Sequence, residues 1–445
     1  MTLTGELARA ALSLRFADLP KSVVQAAQVS LIDGLATMIA ASRREPVTRP
    51  LHQHALNAGG GPATLLAGGK GQPWAAALAN GALAHALDYE DTHDATGLHP
   101  NAALIPAALA LGEATDASGR DLLAALVAGC EVNCRIGLAL GADPAAHGWY
   151  HPPMIGMIGA SIAAARLLRL TPEQTVSAVS LACCQFALTD ELKRSPETDL
   201  RAIRDGFAAR AAVEAAQLAH AGVSGVALPL EGRRGLFAVL TGTSAAGDLT
   251  EDFGSHFHNT EVSIKDWPCC RGTHPFVACA LALAEQSLPI GEIAEIGVTV
   301  RPPDDMLLEP LADRQAPATP IAARFSIPFT MASALLSGPP SLASFSPDRL
   351  TAPAIRELAA RIRMDREDVQ AAPMVRLRFA QGAEQHLPAP MPPGRAAGET
   401  APEDMATKVA DCLSLHPGSD AQALIRAVRT LPETTVRQFA GVLPR

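Results

Sequence analysis

Residues 85–99 read HALDYEDTHDATGLH and hold three histidines and four carboxylates, in a chain that is otherwise rich in Ala, Leu and Val. Histidine beside a carboxylate can take up and release protons near neutral pH. If residues 74–92 form one helix, His85, Asp88 and Thr92 stand at positions i, i+3 and i+7 and share a face. The spacing therefore predicts acid–base chemistry from one stripe of a helix.

Two other interpretations of this stretch stay open. It could be a solvated helix end followed by a polar loop, although the preceding residues, AAALANGALAHAL, are too apolar for a surface helix. It could also bind a metal, because imidazole and carboxylate are metal ligands. The ligands would then be His85, Asp88, Asp91 and His93. No established ligand spacing such as HExxH is present, so we predict no metal.

A second cluster, HGWYHPP, places His147 and His151 just before an apolar segment punctuated by glycine. A histidine at the start of a helix can hold a neutral imidazole near an anionic ligand, because a helix N-terminus favours negative charge. A histidine that merely caps the helix is the alternative.

A third cluster, KDWPCCRGTH, brings Lys265, Arg271 and His274 together around Cys270. Two cations separated by six residues across a proline-containing turn can bind the two ends of a di- or tricarboxylate. A solvated basic loop is the alternative. The vicinal thiols lack a second cysteine pair at ligand spacing, which favours packed thiols over a redox or metal site.

The segment DLRAIRDGFAAR sets Arg201 and Arg204 three residues apart at the start of a predicted helix. These arginines could clamp a carboxylate, or they could pair with Asp199 and Asp205 on the protein surface.

The elements that position these clusters are mostly helical. Apolar residues recur at three- and four-residue spacing up to about residue 250, without alternating strands. The predicted helices are 20–41, 74–89, 101–115, 120–140, 154–168 and 201–221. Alternation at 296–300 and 375–379 predicts strands, and helices are predicted near 274–287, 326–337 and 351–363.

We expect two domains from this change of period. A large all-helical domain spans 1–255, and the segment 400–445 returns to it after a linker, LPAPMPPGRAAGETAP. A smaller α+β domain spans 256–395. The predicted fold class is mostly α.

Composition excludes some classes of function. The chain has 445 residues, a formal net charge of -9 and 18% charged residues, and its basic residues are not clustered as a nucleic-acid surface requires. We expect no membrane span, because the N-terminal segment carries charges and no other stretch is long and uncharged enough. Eight cysteines without a CxxC motif favour reduced thiols in the cytoplasm. The high apolar content favours a homo-oligomer.

Several motifs in order resemble the MmgE/PrpD family, which includes 2-methylcitrate dehydratase, cis-aconitate decarboxylase and iminodisuccinate epimerase. They are NGALAHALDYEDT from residue 80, LHP from 98, HPP from 151, RAIRDGFAA from 201 and KDWPCCRGTHP from 265. The resemblance implies a homodimer and a cofactor-free site in the cleft between the two domains.

Carried over by position, the resemblance implies that five residues are catalytic: Asp88, Thr92, His99, His151 and Lys265. We expect the substrate to contact Arg201, Arg271, His85, Cys270 and His274. In the decarboxylase branch a lysine stands where this chain has Arg201, a histidine where it has Cys270, and a tyrosine where it has Phe329.

These three departures weaken the case for decarboxylation, since an arginine cannot release a proton near neutral pH. We therefore expect an acid–base enzyme on a small polycarboxylate, a 2-methylcitrate dehydratase-like hydro-lyase. An iminodisuccinate epimerase-like isomerase is the main alternative, and a decarboxylase or an inactive helical scaffold is less favoured. His99 or His151 would be the base.

Overall fold

A computed structural model describes residues 2–185, 187–195, 198–244, 247–286, 288–301, 304–365, 372–392, 394–416 and 418–444. The helices of this part are α1 (Leu3–Ser13), α2 (Lys21–Arg44), α3 (Arg49–Asn57), α4 (Pro73–His85), α5 (Leu104–Ala114), α6 (Gly119–Leu138), α7 (Pro152–Leu167), α8 (Pro172–Cys183), α9 (Leu200–His220), α10 (Leu236–Thr241), α11 (His274–Glu285), α12 (Leu311–Gln315), α13 (Pro320–Arg324), α14 (Ile327–Ser337), α15 (Pro347–Leu350), α16 (Pro353–Ala359), α17 (Ala406–Leu413), α18 (Ala421–Arg429) and α19 (Val436–Gly441).

The strands are β1 (Ala63–Thr64), β2 (Lys70–Gly71), β3 (Ser263–Ile264), β4 (Ile293–Thr299), β5 (Ile362–Met364), β6 (Met374–Phe379), β7 (Glu384–Pro388) and β8 (Arg395–Ala396). Helix accounts for 59% of the structure and strand for 9%. The predicted mostly-α fold with a small α+β region is confirmed.

Long apolar helices form the core of the N-terminal part. The helices predicted at 20–41, 101–115, 120–140, 154–168 and 201–221 agree with α2, α5, α6, α7 and α9 within three residues at each end. Helix α7 packs against α5, α6 and α9, and α4 packs against α9. Because these helices are apolar on nearly every side, they are buried against one another.

The predicted helix 74–89 agrees with α4 as far as His85, but its continuation to residue 89, and its extension to 92 as one stripe, was wrong. Helix α4 ends at His85, and Asp88 has a left-handed backbone with φ of 47°. The Asp88 amide turns back to the His85 carbonyl oxygen at 2.8 Å. The carboxylates therefore lie on a loop between α4 and α5, where they reach partners that a helix face would keep apart.

The α+β part contains a four-stranded sheet in the order β5-β4-β6-β7. Strand β4 is parallel to β5 and antiparallel to β6. Helix α14 packs against both α11 and α16 in this part of the chain. The predicted helix 351–363 was too long, because α16 ends at Ala359 and β5 follows. The N-terminal part, for which no strand was predicted, contains the short antiparallel pair β1 and β2.

The predicted linker contributes to the structure around the third cluster. Its strand β8 pairs with β3, immediately before Lys265. After it, α17 and α18 pack on α2, and α19 packs on α5. The division into domains, the homodimer and the cytoplasmic location stay predictions.

Lys408 on α17 connects the C-terminal segment to the loop after α4. Its buried Nζ donates to the Tyr89 carbonyl oxygen at 2.7 Å and to the Lys265 carbonyl oxygen at 2.9 Å. It also pairs with Asp33 on α2 at 2.6 Å. One ammonium group thus joins three parts of the chain that are distant in sequence.

Helix α2 is long and apolar enough to cross a membrane by length and composition alone. The expectation that no stretch meets this criterion was therefore wrong. However, 83% of its most apolar window is buried inside the protein, as in the central helix of a helical core.

Helices α4 and α9 approach closely at Gly81 and Gly206. A Cβ atom on Gly206 would lie 2.4 Å from the Leu78 carbonyl oxygen, and one on Gly81 would lie 2.8 Å from the Gly206 Cα. We expect Gly206→Ala to force the helices apart and to lower the free energy of unfolding by about 1–3 kcal/mol, as overpacking does. Urea unfolding measures this change. Gly60→Ala is the control, because its Cβ would meet no atom within 4 Å; an equal effect of both variants would contradict the close-approach argument.

Candidate active site

A cavity of about 700 Å³ lies between the loop after α4, the start of α7 and the segment before α11. Five of the ten predicted site residues line it: Thr92, His99, His151, Cys270 and Arg271. It is also lined by Asp94, Thr96, Gly97, Asp143, Tyr150, Pro152, Lys193, Gly272, Asp304, Met306, Phe325 and Met391. Three clusters that are distant in sequence therefore converge on one space.

The other five predicted residues lie behind this surface. They are almost completely buried and contact residues nearer the cavity: His85, Asp88, Arg201, Lys265 and His274. The interpretation of Arg201 and Arg204 as a surface ion-pair face was wrong, because both side chains are buried in the core. The solvated-helix-end interpretation of residues 85–92 was wrong for the same reason.

Glu90 organises the two histidines of the loop after α4. Its Oε1 lies 3.1 Å from His99 Nδ1 and also contacts His85 Nδ1. The two imidazole rings are edge-on with centroids 5.2 Å apart. Sequence reasoning missed Glu90, although it lies five residues after His85; the predicted helix would have placed it on the opposite face.

The environment of His99 fixes its neutral tautomer. Nδ1 is 3.0 Å from the Asp91 carbonyl oxygen, which can only accept a hydrogen bond. Nδ1 therefore carries the proton, and Nε2 keeps its lone pair. Burial lowers the pKa of His99 well below its usual range, and the opposing charge of Glu90 does not restore it. His99 is thus a neutral imidazole with a basic nitrogen at neutral pH.

His151 lies at the N-terminus of α7 and lines the same cavity. No hydrogen bond from its side chain to the helix is present within the described residues, so the capping interpretation was wrong. Burial lowers its pKa to about 4. His151 is therefore also neutral at neutral pH.

This buried neutral histidine predicts a dependence of stability on pH. The unfolded chain protonates His151 below about pH 6.5, whereas the folded protein leaves it neutral until about pH 4. The unfolded state thus binds more protons between these values, and stability falls as the pH falls. We expect the free energy of unfolding of the wild type to decrease more steeply across this window than that of His151→Gln. Urea unfolding at several pH values measures both slopes, and equal slopes would contradict the prediction.

Lys265 and Asp88 form a buried ion pair. Lys265 Nζ lies 2.9 Å from Asp88 Oδ1 and donates to the Asp88 carbonyl oxygen at 2.8 Å. Burial alone would lower the pKa of Lys265, but the carboxylates of Asp88 and Glu90 outweigh it and raise that pKa. Lys265 therefore stays charged and places a fixed positive charge behind the cavity.

Two further buried cations have donors without hydrogen-bond partners among the described residues: Nε and Nη1 of Arg201, and Nε and Nη2 of Arg204. The Arg201 guanidinium stacks on Phe325, with its Cζ 4.3 Å from the ring centroid. The Arg204 guanidinium lies 4.9 Å from the Tyr150 ring centroid, and its Nε is 3.5 Å from Asp205. Burying such donors is unfavourable unless an anion comes near.

Arg271 is already paired. Its Nε and Nη2 donate to Asp94 at 3.0 and 2.8 Å, and Nη2 also donates to the Pro392 carbonyl oxygen at 2.8 Å. Nη1 lies 3.3 Å from His274 Nδ1. His274 is therefore a support for Arg271, and burial lowers its pKa to about 3.

Two phenylalanines that are close in sequence, Phe325 and Phe329, lie in different environments. Phe329, the position matched to a tyrosine by the resemblance, is fully buried and packs on Phe345 with ring centroids 5.9 Å apart. Phe325 lines the cavity instead. Sequence reasoning also missed Asp304, whose pKa burial raises to about 6.

The same loop also contains a possible metal-ligand set: His85, Asp88, Glu90 and His99, with one ligand atom of each within 4.8 Å of the others. The predicted alternative set was different, because Asp91 pairs with Asn101 and His93 lies in another cluster. Asp88 already pairs with Lys265, and Glu90 with two histidines. These contacts describe a hydrogen-bonded charge network.

Comparison with known families gives the wider context. A model of the MmgE/PrpD N-terminal domain matches residues 5–247, and a model of the MmgE/PrpD C-terminal domain matches residues 267–432. The chain belongs to the MmgE/PrpD family. The predicted family is confirmed.

Curated relatives of this MmgE/PrpD chain include fungal and human proteins. It is 27% identical to a cis-aconitate decarboxylase-like protein of Aspergillus oryzae, over 80% of this chain and 78% of the relative. It is 26% identical to a cis-aconitate decarboxylase of Aspergillus terreus, over 81% and 77%. The human cis-aconitate decarboxylase is 29% identical, over 66% of this chain and 61% of its own length.

Proposed function

We propose that the protein is a hydro-lyase of the 2-methylcitrate dehydratase type, which acts without a cofactor on a small di- or tricarboxylate. The observation that carries this proposal is the cavity with His99 and His151 on its surface and, behind it, buried guanidinium donors that have no hydrogen-bond partner among the described residues. A neutral base in front of buried guanidinium groups suits removal of a proton from carbon beside a carboxylate.

The charges behind the cavity support an anionic substrate. Within the described residues, Nε and Nη1 of Arg201 and Nη2 of Arg204 have no hydrogen-bond partner, Arg204 Nε lies 3.5 Å from Asp205, and Lys265 keeps its charge beside Asp88. A carboxylate that enters the cavity would lower the electrostatic energy of this region. The transition state would be stabilised more than the bound substrate, because loss of the proton adds negative charge near these cations.

We assign His99 the role of base, and the hydrogen bond of its Nδ1 to the Asp91 carbonyl oxygen supports this role. The C–H bond beside the carboxylate breaks, and its proton goes to His99 Nε2. The electron pair forms a carbon–carbon double bond as the C–O bond to the hydroxyl breaks. Glu90 stabilises the imidazolium, which then delivers the proton to the departing hydroxyl, so that water leaves and His99 is neutral again.

In this scheme, His151 and Thr92 hold the substrate. His151 lines the cavity, but its pKa is about 4. Only a small fraction of His151 is therefore protonated near neutral pH, too little for it to serve as the general acid. Its neutral imidazole can donate one hydrogen bond and accept another. One imidazole therefore carries the proton in both directions, and the second orients the substrate.

Decarboxylation is the second candidate, because two of the curated relatives are named cis-aconitate decarboxylase and a third is named a cis-aconitate decarboxylase-like protein. The departures at Arg201 and Cys270 count against it. An arginine binds a carboxylate but does not protonate a carbanion, and burial raises the pKa of Cys270, which makes it a poorer acid than a histidine.

Incubation with ¹³C-labelled 2-methylcitrate, cis-aconitate and iminodisuccinate in heavy water tests these candidates by NMR. An alkene formed from the hydroxy acid supports the hydro-lyase. Release of labelled CO₂ without dehydration would contradict the hydro-lyase assignment and support a decarboxylase. Deuterium exchange beside the carboxylate without an alkene would contradict it and support an epimerase. No change in any substrate would overturn the proposal.

A further inference from the structure

A second histidine cluster lies outside the catalytic residues proposed above. It consists of His93, His256, His258 and Glu261, and we refer to it as the His93 cluster. His93 comes from the loop after α4, whereas the other three come from the segment before β3, where His258–Glu261 forms a short 3-10 helix. The fold therefore brings two separate segments together at this cluster.

The side chains of the His93 cluster converge on one carboxylate. His258 Nδ1 lies 3.0 Å and His93 Nε2 lies 3.7 Å from Glu261 Oε2. His256 Nε2 lies 3.1 Å from the other oxygen, Oε1. One ligand atom from each of His93, His258 and Glu261 is within 4.8 Å of the other two.

A neighbouring hydroxyl provides a partner for the second nitrogen of His93. Thr96 Oγ1 lies 2.9 Å from His93 Nδ1 and 3.3 Å from the His93 carbonyl oxygen. When a metal ion binds His93 Nε2, the nitrogen that faces Glu261, Nδ1 carries the proton and can donate it to Thr96 Oγ1. Metal-binding histidines typically donate their second nitrogen to such a partner.

The surroundings favour entry of a cation. His93 is buried, but the side chains of His256 and Glu261 are 52% and 46% exposed. A groove of about 260 Å³ adjoins the cluster and is lined by His256 and His258, by the acidic residues Asp248, Glu251 and Asp252, and by one cation, Arg135, which pairs with Glu131 at 3.4 Å. An ion can therefore reach the histidines from solvent through an acidic groove.

We propose that the His93 cluster binds a divalent transition metal ion of the zinc class. Imidazole nitrogen and carboxylate oxygen bind Zn²⁺ at about 2.0–2.2 Å. The ion would replace the present histidine–glutamate contacts with bonds to His93 Nε2, His258 Nδ1 and Glu261, and His256 would stay beside the other oxygen of Glu261.

A metal ion at this cluster would influence the proposed active site by holding a neighbouring loop in place. His93 lies between Thr92 and Asp94, which both line the catalytic cavity. The ion would link this loop to the segment that leads through β3 to Lys265. Binding is therefore expected to stabilise the wall of the cavity without taking part in the reaction.

Calorimetric titration of the full chain with ZnCl₂, after removal of metals by a chelator, tests the proposal. We expect one Zn²⁺ per chain at this cluster, and loss of that binding in the variant His256→Ala/His258→Ala. Thr96→Val is expected to weaken binding about 10- to 100-fold, since it removes the partner of His93 Nδ1.

The control variant is His54→Ala/His386→Ala, which removes two exposed histidines elsewhere. It is expected to bind Zn²⁺ as the wild type does. Substitution by Co²⁺ provides an independent readout, because visible absorption bands of tetrahedral geometry should appear in the wild type and disappear in His256→Ala/His258→Ala. Zn²⁺ binding of unchanged affinity and stoichiometry in that variant, or no binding by the wild type, overturns the proposal.

Discussion

Replacement of His99 by alanine is expected to lower kcat/KM about 10²- to 10⁴-fold while the protein stays folded, the usual range for loss of a positioned base. The reason is geometric: His99 is the cavity imidazole whose Nδ1 is held by the Asp91 carbonyl oxygen and by Glu90. Nothing else described in the cavity presents a neutral nitrogen with its tautomer fixed in this way. Steady-state kinetics on the substrate found by NMR measure the loss.

His147→Ala is the matched control, because His147 is exposed and does not line the cavity. It is expected to keep wild-type kinetics. Glu90→Gln is the informative companion: it keeps a side chain of the same shape near His99 but removes the charge that stabilises the imidazolium, so kcat should fall with little change in KM. Wild-type turnover by His99→Ala would rule out the assignment of the base.

The second large effect is expected on stability. Lys265→Met leaves the Asp88 carboxylate buried without its cation, and loss of one partner of a buried ion pair lowers the free energy of unfolding by about 3–5 kcal/mol. The two groups are 2.9 Å apart and almost completely buried. Urea unfolding of the wild type and the variant measures the difference.

A double variant separates the charge imbalance from the lost function. Asp88→Asn/Lys265→Met removes both charges, and asparagine tolerates the left-handed backbone of residue 88. We expect it to recover most of the stability but not the activity, because the fixed positive charge behind the cavity is absent. Lys21→Met, on an exposed lysine, is the control. Equal stability of Lys265→Met and Lys21→Met would refute the energetic role of the pair.

The sequence predicted most of the helical frame and the convergence of the three clusters. The long helices α2, α5, α6, α7 and α9 have regular apolar spacing and Gly or Pro near their ends, so their limits were predictable. The motif resemblance then predicted the family. His99, His151 and Cys270 line one cavity, as the proposed site requires.

The loop after α4 could not be predicted in detail. Helical spacing continues through residues 85–92, but the buried pairing of Asp88 with Lys265 favours a left-handed turn that ends the helix. This tertiary contact lies 177 residues away in sequence, where local periodicity holds no information. The roles of Glu90 and Phe325 could not be predicted for the same reason, because they depend on how distant segments pack.

The three contacts of Lys408 have a consequence for biosynthesis. Tyr89 and Lys265 leave the ribosome well before Lys408, so their carbonyl oxygens lack this ammonium group while the chain is still being made. Asp33 likewise lacks its ion-pair partner, Lys408, until that residue has been added. The proposed catalytic pocket is therefore completed late in translation, and a nascent chain that stalls before residue 408 would carry the proposed catalytic residues without the contacts of Lys408.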